Sequence, residues 1–356
     1  MYTLYTFYNF TPLAYIWLLM NKPVRFAIIG CGKIATRHAE QAARHGELTA
    51  VCDIRPEKAD ALAAAYNAKA YYSPEDLLKE EKQIDLVAVC TPNGLHSGHS
   101  ILALSAGMNV LCEKPLCISS SDAAAMISTA EQAGKRLFVV KSTRYNPALI
   151  SLKRILDQQK AGKPYSFQLN CFWNRPPAYY ADSWRGTTAM DGGTLYTQFS
   201  HYIDALLWLF GEVRSVNGFR KNITHGHSIE FEDSGVAAME MENGMLGGLN
   251  WSVNAFQKNM EVSLTIVAEK ASIRIGGEYM NKVEYELADG FTLGEGEPGK
   301  ANDYGFYKGS MSNHDRVYEN LMLALNDPAH PFTNAIDGLK TVETIERIYK
   351  AVSFRN

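Results

Sequence analysis

Several protein classes leave marks that this chain lacks. Its six cysteines, at 31, 52, 90, 112, 117 and 171, include no CxxC pair and mostly end or flank apolar runs. A disulfide scaffold and a zinc site are therefore not expected, and the thiols read as small apolar fillers in a reducing cytoplasm. Excess positive charge is missing too: 35 Lys+Arg stand against 38 Asp+Glu, a net charge of -3. No broad basic surface is available, so neither nucleic acid nor an anionic membrane is an expected partner. There is no internal repeat and no low-complexity linker. The first 21 residues contain no charged residue at all, but Asn9, Pro12 and several Thr and Tyr break the apolar stretch. Without a basic n-region or a small-residue cleavage site, residues 1–21 fit neither an anchor nor an export signal. They are expected to be an appendage or a mis-assigned start upstream of Met20 that contributes nothing to the core.

What is present is ordinary for a globular protein, with 46% hydrophobic and 21% charged residues over 356 positions. Single cores stop growing at roughly 250–300 residues, so two domains are expected. Residues 22–145 alternate short Val/Ile/Leu-rich runs with amphipathic stretches of helical period. Strands are predicted at 24–29, 48–53, 70–72, 84–90, 109–112 and 136–141, with helices at 33–45, 56–67, 74–81, 96–106 and 120–133. This is the pattern of βαβ units around a doubly wound parallel sheet, the Rossmann arrangement of an α/β protein. From 146 to 356 the texture changes. A helix after Pro147 leads to strands at 165–173, 215–221, 234–241, 245–253, 261–268, 271–275 and 282–287, separated by turns such as Glu242-Asn243-Gly244. A mainly antiparallel sheet in an α+β domain is expected, with helices at 194–210, 313–326 and 336–352. The last of these is expected to pack back on the first domain.

The first predicted strand runs into Gly30-Cys31-Gly32-Lys33-Ile34-Ala35, a GxGxxA sequence placed between strand and helix. Gly30 allows the tight turn, Gly32 admits a pyrophosphate to the backbone, and Ala35 allows close helix packing, with phosphate at the helix start. Asp53 ends the second strand, 18 residues beyond Ala35, where an acid meets ribose hydroxyls. NAD is the expected cofactor, with Arg55 the one nearby group that would favour NADP. The fourth and fifth strands deliver Thr91-Pro92-Asn93-Gly94-Leu95-His96 and Glu113-Lys114-Pro115 to the carboxyl edge of the sheet, where such folds bind ligands. Thr91, Pro92, Asn93, His96, Glu113 and Lys114 are therefore assigned to the cofactor cleft. A lysine there can hold a substrate hydroxyl and relay its proton.

On the predicted helix 194–210, Thr194, Thr197, His201 and Asp204 fall on one stripe, with Gln198 beside it, while Leu195, Ile203, Leu206, Leu207 and Phe210 take most of the rest. A narrow polar stripe on an apolar helix suggests a cleft wall, and His201 is the expected acid/base partner of Lys114. His225, His227, Glu230, Glu232 and Asp233 have metal-binding side chains, but alternation along a strand turns them to opposite faces. No metal is expected. His314, with Tyr318 one turn later, reads as a helix start carrying a partly buried histidine.

Through AIIGCGKIA, CTPNGLH, CEKPL, the DGG…H..D helix and the FED…ENG region, the sequence resembles the Gfo/Idh/MocA oxidoreductases from Val24 onward. The resemblance implies a Rossmann domain, a large open-faced sheet used for homodimer or homotetramer contacts, and NAD(P)-linked oxidation of a sugar or polyol hydroxyl. Within that family the stretch Trp173 to Tyr180, then Trp184-Arg185-Gly186-Thr187, resembles the UDP-N-acetylglucosaminuronate 3-dehydrogenases of surface-polysaccharide synthesis. The implied substrate residues are Lys114, Arg144, Tyr145, Arg175, Tyr179, Tyr180, Trp184, Arg185, Thr197, Gln198 and His201. Arg175 and Arg185 would bind a uronate or diphosphate, and Tyr179, Tyr180 and Trp184 would stack on sugar or uracil. One departure stands out. Four residues before the histidine many members carry Asp, and the nucleotide-sugar group Asn, where this chain has Thr197. Thr is no base at neutral pH, which leaves the proton to Lys114 and His201. The alternatives are a dehydrogenase of a free sugar or inositol, and a catalytically silent NAD-binding regulator.

Overall fold

The computed structural model describes residues 23–181, 183–294, 301–303, 305 and 308–355, so the expectation for residues 1–21 lies outside the described residues. The first sheet has six strands: β1 Val24–Ile29, β2 Gly46–Cys52, β3 Lys69–Tyr71, β4 Leu86–Val89, β5 Asn109–Cys112 and β6 Leu137–Val139. All pair in parallel in the order 3-2-1-4-5-6, which puts the reversal of strand order between β1 and β4. Helices cross between them: α1 Ala35–His45, α2 Pro56–Tyr66, α3 Pro74–Glu80, α4 His96–Ser105 and α5 Ser120–Gln132. All four residues of β4 are buried, and they lack polar alternation because both faces of the sheet are covered. On α1 the inward residues Ala35, His38, Ala39 and Ala42 repeat at helical spacing, and three of the four are small enough to seat the helix closely on the sheet.

Beyond α6 Pro147–Asp157 the chain builds a second sheet of eight strands. These are β7 Pro164–Phe172, β8 Val213–Lys221, β9 Ser234–Met241, β10 Leu246–Ser252, β11 Glu261–Ala268, β12 Ala271–Gly276, β13 Lys282–Ala288 and, after a small hairpin of β14 Ala301–Asp303 and β15 Lys308–Met311, the terminal β16 Val352–Arg355. Pairing is antiparallel except for β7 with β10 and β8 with β16. The alternating pattern of β7 turns Phe167, Leu169 and Cys171 into the core. Helix α7 Ser200–Phe210, with nine of eleven residues buried, contributes to the same core. The other face leaves Val236, Leu246 and Val267 about half exposed.

Three features depart from the sequence reading. The expected helix 194–210 is a π-helical turn over Leu195–Phe199 followed by α7. The chain ends in β16 rather than in helix, and the β14–β15 hairpin occupies what reads as loop. Helices α8 His314–Asn326 and α9 Ala335–Ala351 return to the first domain, α8 against α1 and α9 against α5. All six cysteines are free, five of them buried. Among the described residues no helix is long and apolar enough to cross a membrane.

Candidate active site

A cleft of about 610 Å³ opens at the carboxyl edge of β1, β4 and β5 and runs to α7 and β15. At its first end the glycine turn is built for close approach. Gly30 has φ +96°, and a Cβ there would lie 2.7 Å from the backbone of Cys90 and Thr91. A Cβ on Gly32 would meet nothing within 4 Å, so the missing side chain leaves open space on the cleft side of the turn. The α1 entry has no side-chain cap; the Ala35 and Arg37 N–H groups donate to the Gly32 and Ile34 carbonyls at 3.0 Å, and the positive end of the helix faces the turn. Asp53 receives the Cys31 N–H at 2.8 Å and the Arg55 N–H at 2.9 Å, one on each oxygen, so it rigidifies the turn while facing the cleft. Each oxygen keeps a second acceptor position for a ribose hydroxyl. These features fit a dinucleotide with unphosphorylated ribose, and Gly30, Gly32, Lys33, Ile34, Asp53 and Thr91, all on the cleft, are the residues that could hold it. A calorimetric titration should find NAD bound at least about tenfold more tightly than NADP, because a ribose phosphate beside Asp53 meets like charge in a partly desolvated cleft. Tighter NADP binding would show Arg55 in control.

At the far end, Lys114 leaves β5 and its ammonium donates to the Thr197 carbonyl at 2.9 Å. Burial pulls the Lys114 pKa below 10.5; Glu113 and Asp191 oppose this, and Arg175 and Arg185 add to it. His201 is buried on α7, and burial together with the Lys114 charge holds its pKa well below 6.5, so the ring is neutral. Its Nε2 lies 3.2 Å from the Ser310 hydroxyl of β15. Asn93 donates to the Thr197 hydroxyl at 2.7 Å and to the Asp191 carbonyl at 2.9 Å, tying the two domains together beneath the lysine. His96, with Nδ1 2.7 Å from the Pro115 carbonyl and Nε2 2.8 Å from that of Thr91, spans the two loops.

The cleft wall opposite is cationic and aromatic. Arg175 donates to the Gln198 side chain at 2.7 Å and sits over the Trp173 and Tyr179 rings at 4.7 and 5.2 Å. Arg185 lies over Tyr179 and Trp184 at 4.6 and 4.9 Å. Gln198 donates to the Tyr179 hydroxyl at 2.9 Å. Tyr179 thus lies near two guanidiniums, and all of these residues line the cleft.

Four expected site residues fall elsewhere. Ala35 is buried at the foot of α1 and acts by packing alone. Arg144 chelates Asp204 with two bonds of 2.8 Å and lies over the Trp208 ring, so its charge is committed to the second domain and away from the cleft. The Tyr145 hydroxyl accepts from Asn320 at 2.9 Å, toward α8. Tyr180 packs edge-on against Tyr179 and His225 and supports the wall from behind. The polar stripe also splits: Thr194 donates to the Glu232 carbonyl, Asp204 takes Lys141 and Arg144, and only Thr197 and His201 line the cleft. The histidine-acid run diverges, with His225 on Asp233 at 3.1 Å, Glu230 on the Thr188 N–H and Glu232 on Tyr349.

Sequence reasoning missed three parts. Ser310 arrives on the unanticipated hairpin and carries no local signal. Asp191, read only as part of the DGG motif, is buried against Thr197. His38 and His314 donate to one oxygen of Glu113 at 2.9 and 3.1 Å, and Glu113 accepts the Lys114 N–H with the other. These two histidines hold the Glu113 carboxyl ionised against the burial that would raise its pKa. The three ligand atoms lie within 4.8 Å of one another, but each is already spent on a hydrogen bond within the cluster.

Comparison with known proteins agrees with this geometry. Residues 24–141 match the model for the GFO/IDH/MocA oxidoreductase family, NAD-binding Rossmann fold, and residues 149–274 match the GFO/IDH/MocA C-terminal domain. The D-glucoside 3-dehydrogenase of Escherichia coli K12 is 29% identical over 299 residues, 76% of this chain and 85% of its own. Two solved WlbA dehydrogenases, each in complex with NADH and UDP-GlcNAcA, superimpose over 93% of this chain. The Bordetella pertussis protein does so at TM-score 0.82 with 33% identity over 96% of its length. That from Chromobacterium violaceum does so at 0.84 with 34% identity over 94%. Glycine turn, lysine at the end of β5, helix histidine and two matching domain models together place the chain in the GFO/IDH/MocA family, as an NAD-dependent oxidoreductase acting on a CH–OH group.

Proposed function

We propose that the protein oxidises a ring hydroxyl of an anionic nucleotide sugar, at C3 of a UDP-N-acetylglucosaminuronate-type substrate, with Lys114 and His201 as the proton-handling pair. The observation that carries this reading is Arg185 at the cleft wall, over the Tyr179 and Trp184 rings. A neutral polyol has no use for a guanidinium there, whereas a carboxylate or diphosphate accepts charge-assisted bonds from Arg185, with Arg175 adding positive charge from behind, and a base or sugar ring covers the aromatic edges. The UDP-GlcNAcA bound by the two WlbA relatives supports the same class.

When bound, NAD supplies the acceptor for the hydride leaving the carbinol carbon. The chain's own residues handle the rest. Lys114, directed by the Thr197 carbonyl and with its pKa pulled down by burial, accepts the substrate hydroxyl proton in its neutral form. His201, kept neutral by its surroundings, hydrogen-bonds the same hydroxyl and shares its proton with Lys114 as the hydride leaves. Ser310 holds the imidazole orientation.

The test is a panel of UDP-GlcNAcA, UDP-GlcNAc, free glucuronate and inositol, each assayed for NADH formation. UDP-GlcNAcA should exceed UDP-GlcNAc in kcat/KM by roughly 10–100-fold, the scale of a lost charge-assisted hydrogen bond. Arg185→Gln should erode that ratio by raising KM for the uronate alone. Preference for inositol or a free sugar would overturn the reading.

A further inference from the structure

Asp191 is buried at 1% exposure, yet the proton chemistry proposed above gives it no role. One carboxylate oxygen receives the Gly186 N–H at 2.9 Å and the other the Thr197 hydroxyl. Its own carbonyl takes Asn93 at 2.9 Å, and the Gly94 N–H reaches the adjacent Met190 carbonyl at the same distance. A Cβ on Gly94 would come within 2.1 Å of the Ala189 carbonyl, so this segment is pressed against the end of β4 with no room to shift. The Thr197 peptide is therefore fixed at its hydroxyl by two partners, while its carbonyl holds the Lys114 ammonium.

We propose that Asp191 is a positioning residue for the dehydrogenation: through the Thr197 hydroxyl it fixes the carbonyl that aims Lys114, and its negative charge sets the pH at which Lys114 gives up its proton. The inference rests on Lys114 handling the substrate proton. Thr197 cannot contribute a charge itself, and Asp191 supplies one from the next shell of the same turn. The charged groups acting on Lys114 are Glu113 and Asp191, which hold its proton, and Arg175 and Arg185, which oppose it; His96 and His201 are its titratable neighbours. Around Asp191 stand Arg185, Lys114 and the Tyr180 phenol, and burial pushes its own pKa up to about 6.

The experiment is the pH profile of kcat/KM for Asp191→Asn against wild type, with NAD and UDP-GlcNAcA. Asn keeps the shape and a hydrogen bond to Thr197 but removes the charge, so Lys114 deprotonates more readily. The ascending limb should move to lower pH by roughly one pH unit, the low end for loss of an opposite charge. Asp191 takes up a proton near pH 6, so the influence of its charge on Lys114 should fade below that pH. Thr197→Val should lower kcat about tenfold or more with little change in KM, and Thr197→Ser should restore it. A loss of kcat uniform across pH in Asp191→Asn would mark a merely structural residue and overturn the proposal, as would an unchanged profile. Should Asp191→Asn fail to fold, normal kcat in Thr197→Val would overturn it alone. Full turnover in Lys114→Met would instead strike the underlying reading.

Discussion

Replacing Lys114 with methionine should lower turnover by roughly 10²–10⁴-fold, the usual scale of general acid/base catalysis, while NAD affinity changes little. Methionine keeps most of the apolar stem and deletes the ammonium that donates to the Thr197 carbonyl at 2.9 Å. His201→Asn should behave in the same way. Burial and the Lys114 charge keep His201 neutral throughout the working range, so the ascending limb of the pH profile belongs to Lys114. Two groups acting on one proton are not independent, and the double variant should lose far less than the product of the single effects. The check is steady-state kinetics beside a calorimetric NAD titration. Near-normal kcat in both variants with raised substrate KM would make them binding groups and sink the catalytic assignment.

How much of this was legible beforehand depended on whether a residue's partner was near in sequence. Strands β1, β4 and β5 announce themselves because burial on both faces forces unbroken apolar runs, and a strand leading into GxGxxA fixes the cofactor end within a dozen residues. Lys114 was legible for a related reason: the carboxyl edge of a parallel sheet is where ligands bind. Arg144 was misread because its partner Asp204 lies 60 residues away and itself looked like part of a cleft wall. Helical periodicity put Thr194, Thr197, His201 and Asp204 on one stripe, but a π turn at Leu195–Phe199 breaks the 3.6-residue register, and the four residues serve four different partners. Ser310 reaches His201 only through tertiary pairing of β14 with β15. Asp191 was visible as a letter in the DGG motif, but its role depends on the Thr197 hydroxyl, which local pattern does not supply.

The Arg144 correction carries the second large effect. Lys141 and Arg144 both converge on Asp204, at 2.9 and 2.8 Å, and Asp204 is only 2% exposed. Burial alone would raise the Asp204 pKa, but the two cations outweigh it and hold it at about 2, below the ordinary 3.8. Asp204→Asn should therefore destabilise the protein by about 3–5 kcal/mol, since it leaves two cations around a buried site without their shared counter-charge. That is a large fraction of the ~5–15 kcal/mol that holds a domain folded. A second substitution, Lys141→Met, removes the more deeply buried cation and should recover part of the loss, giving a non-additive cycle in denaturant midpoints. The pH dependence has a definite sign. A carboxylate whose folded pKa is depressed stabilises fully above its unfolded value and loses that contribution as pH falls through the folded one. The stability gap between wild type and Asp204→Asn should thus be constant above about pH 5 and narrow, without closing, between about pH 4 and 2. A gap under about 1 kcal/mol at neutral pH, the size of an exposed pair, would show that Asp204 is no such hub and would return Arg144 to the list of groups free to meet substrate.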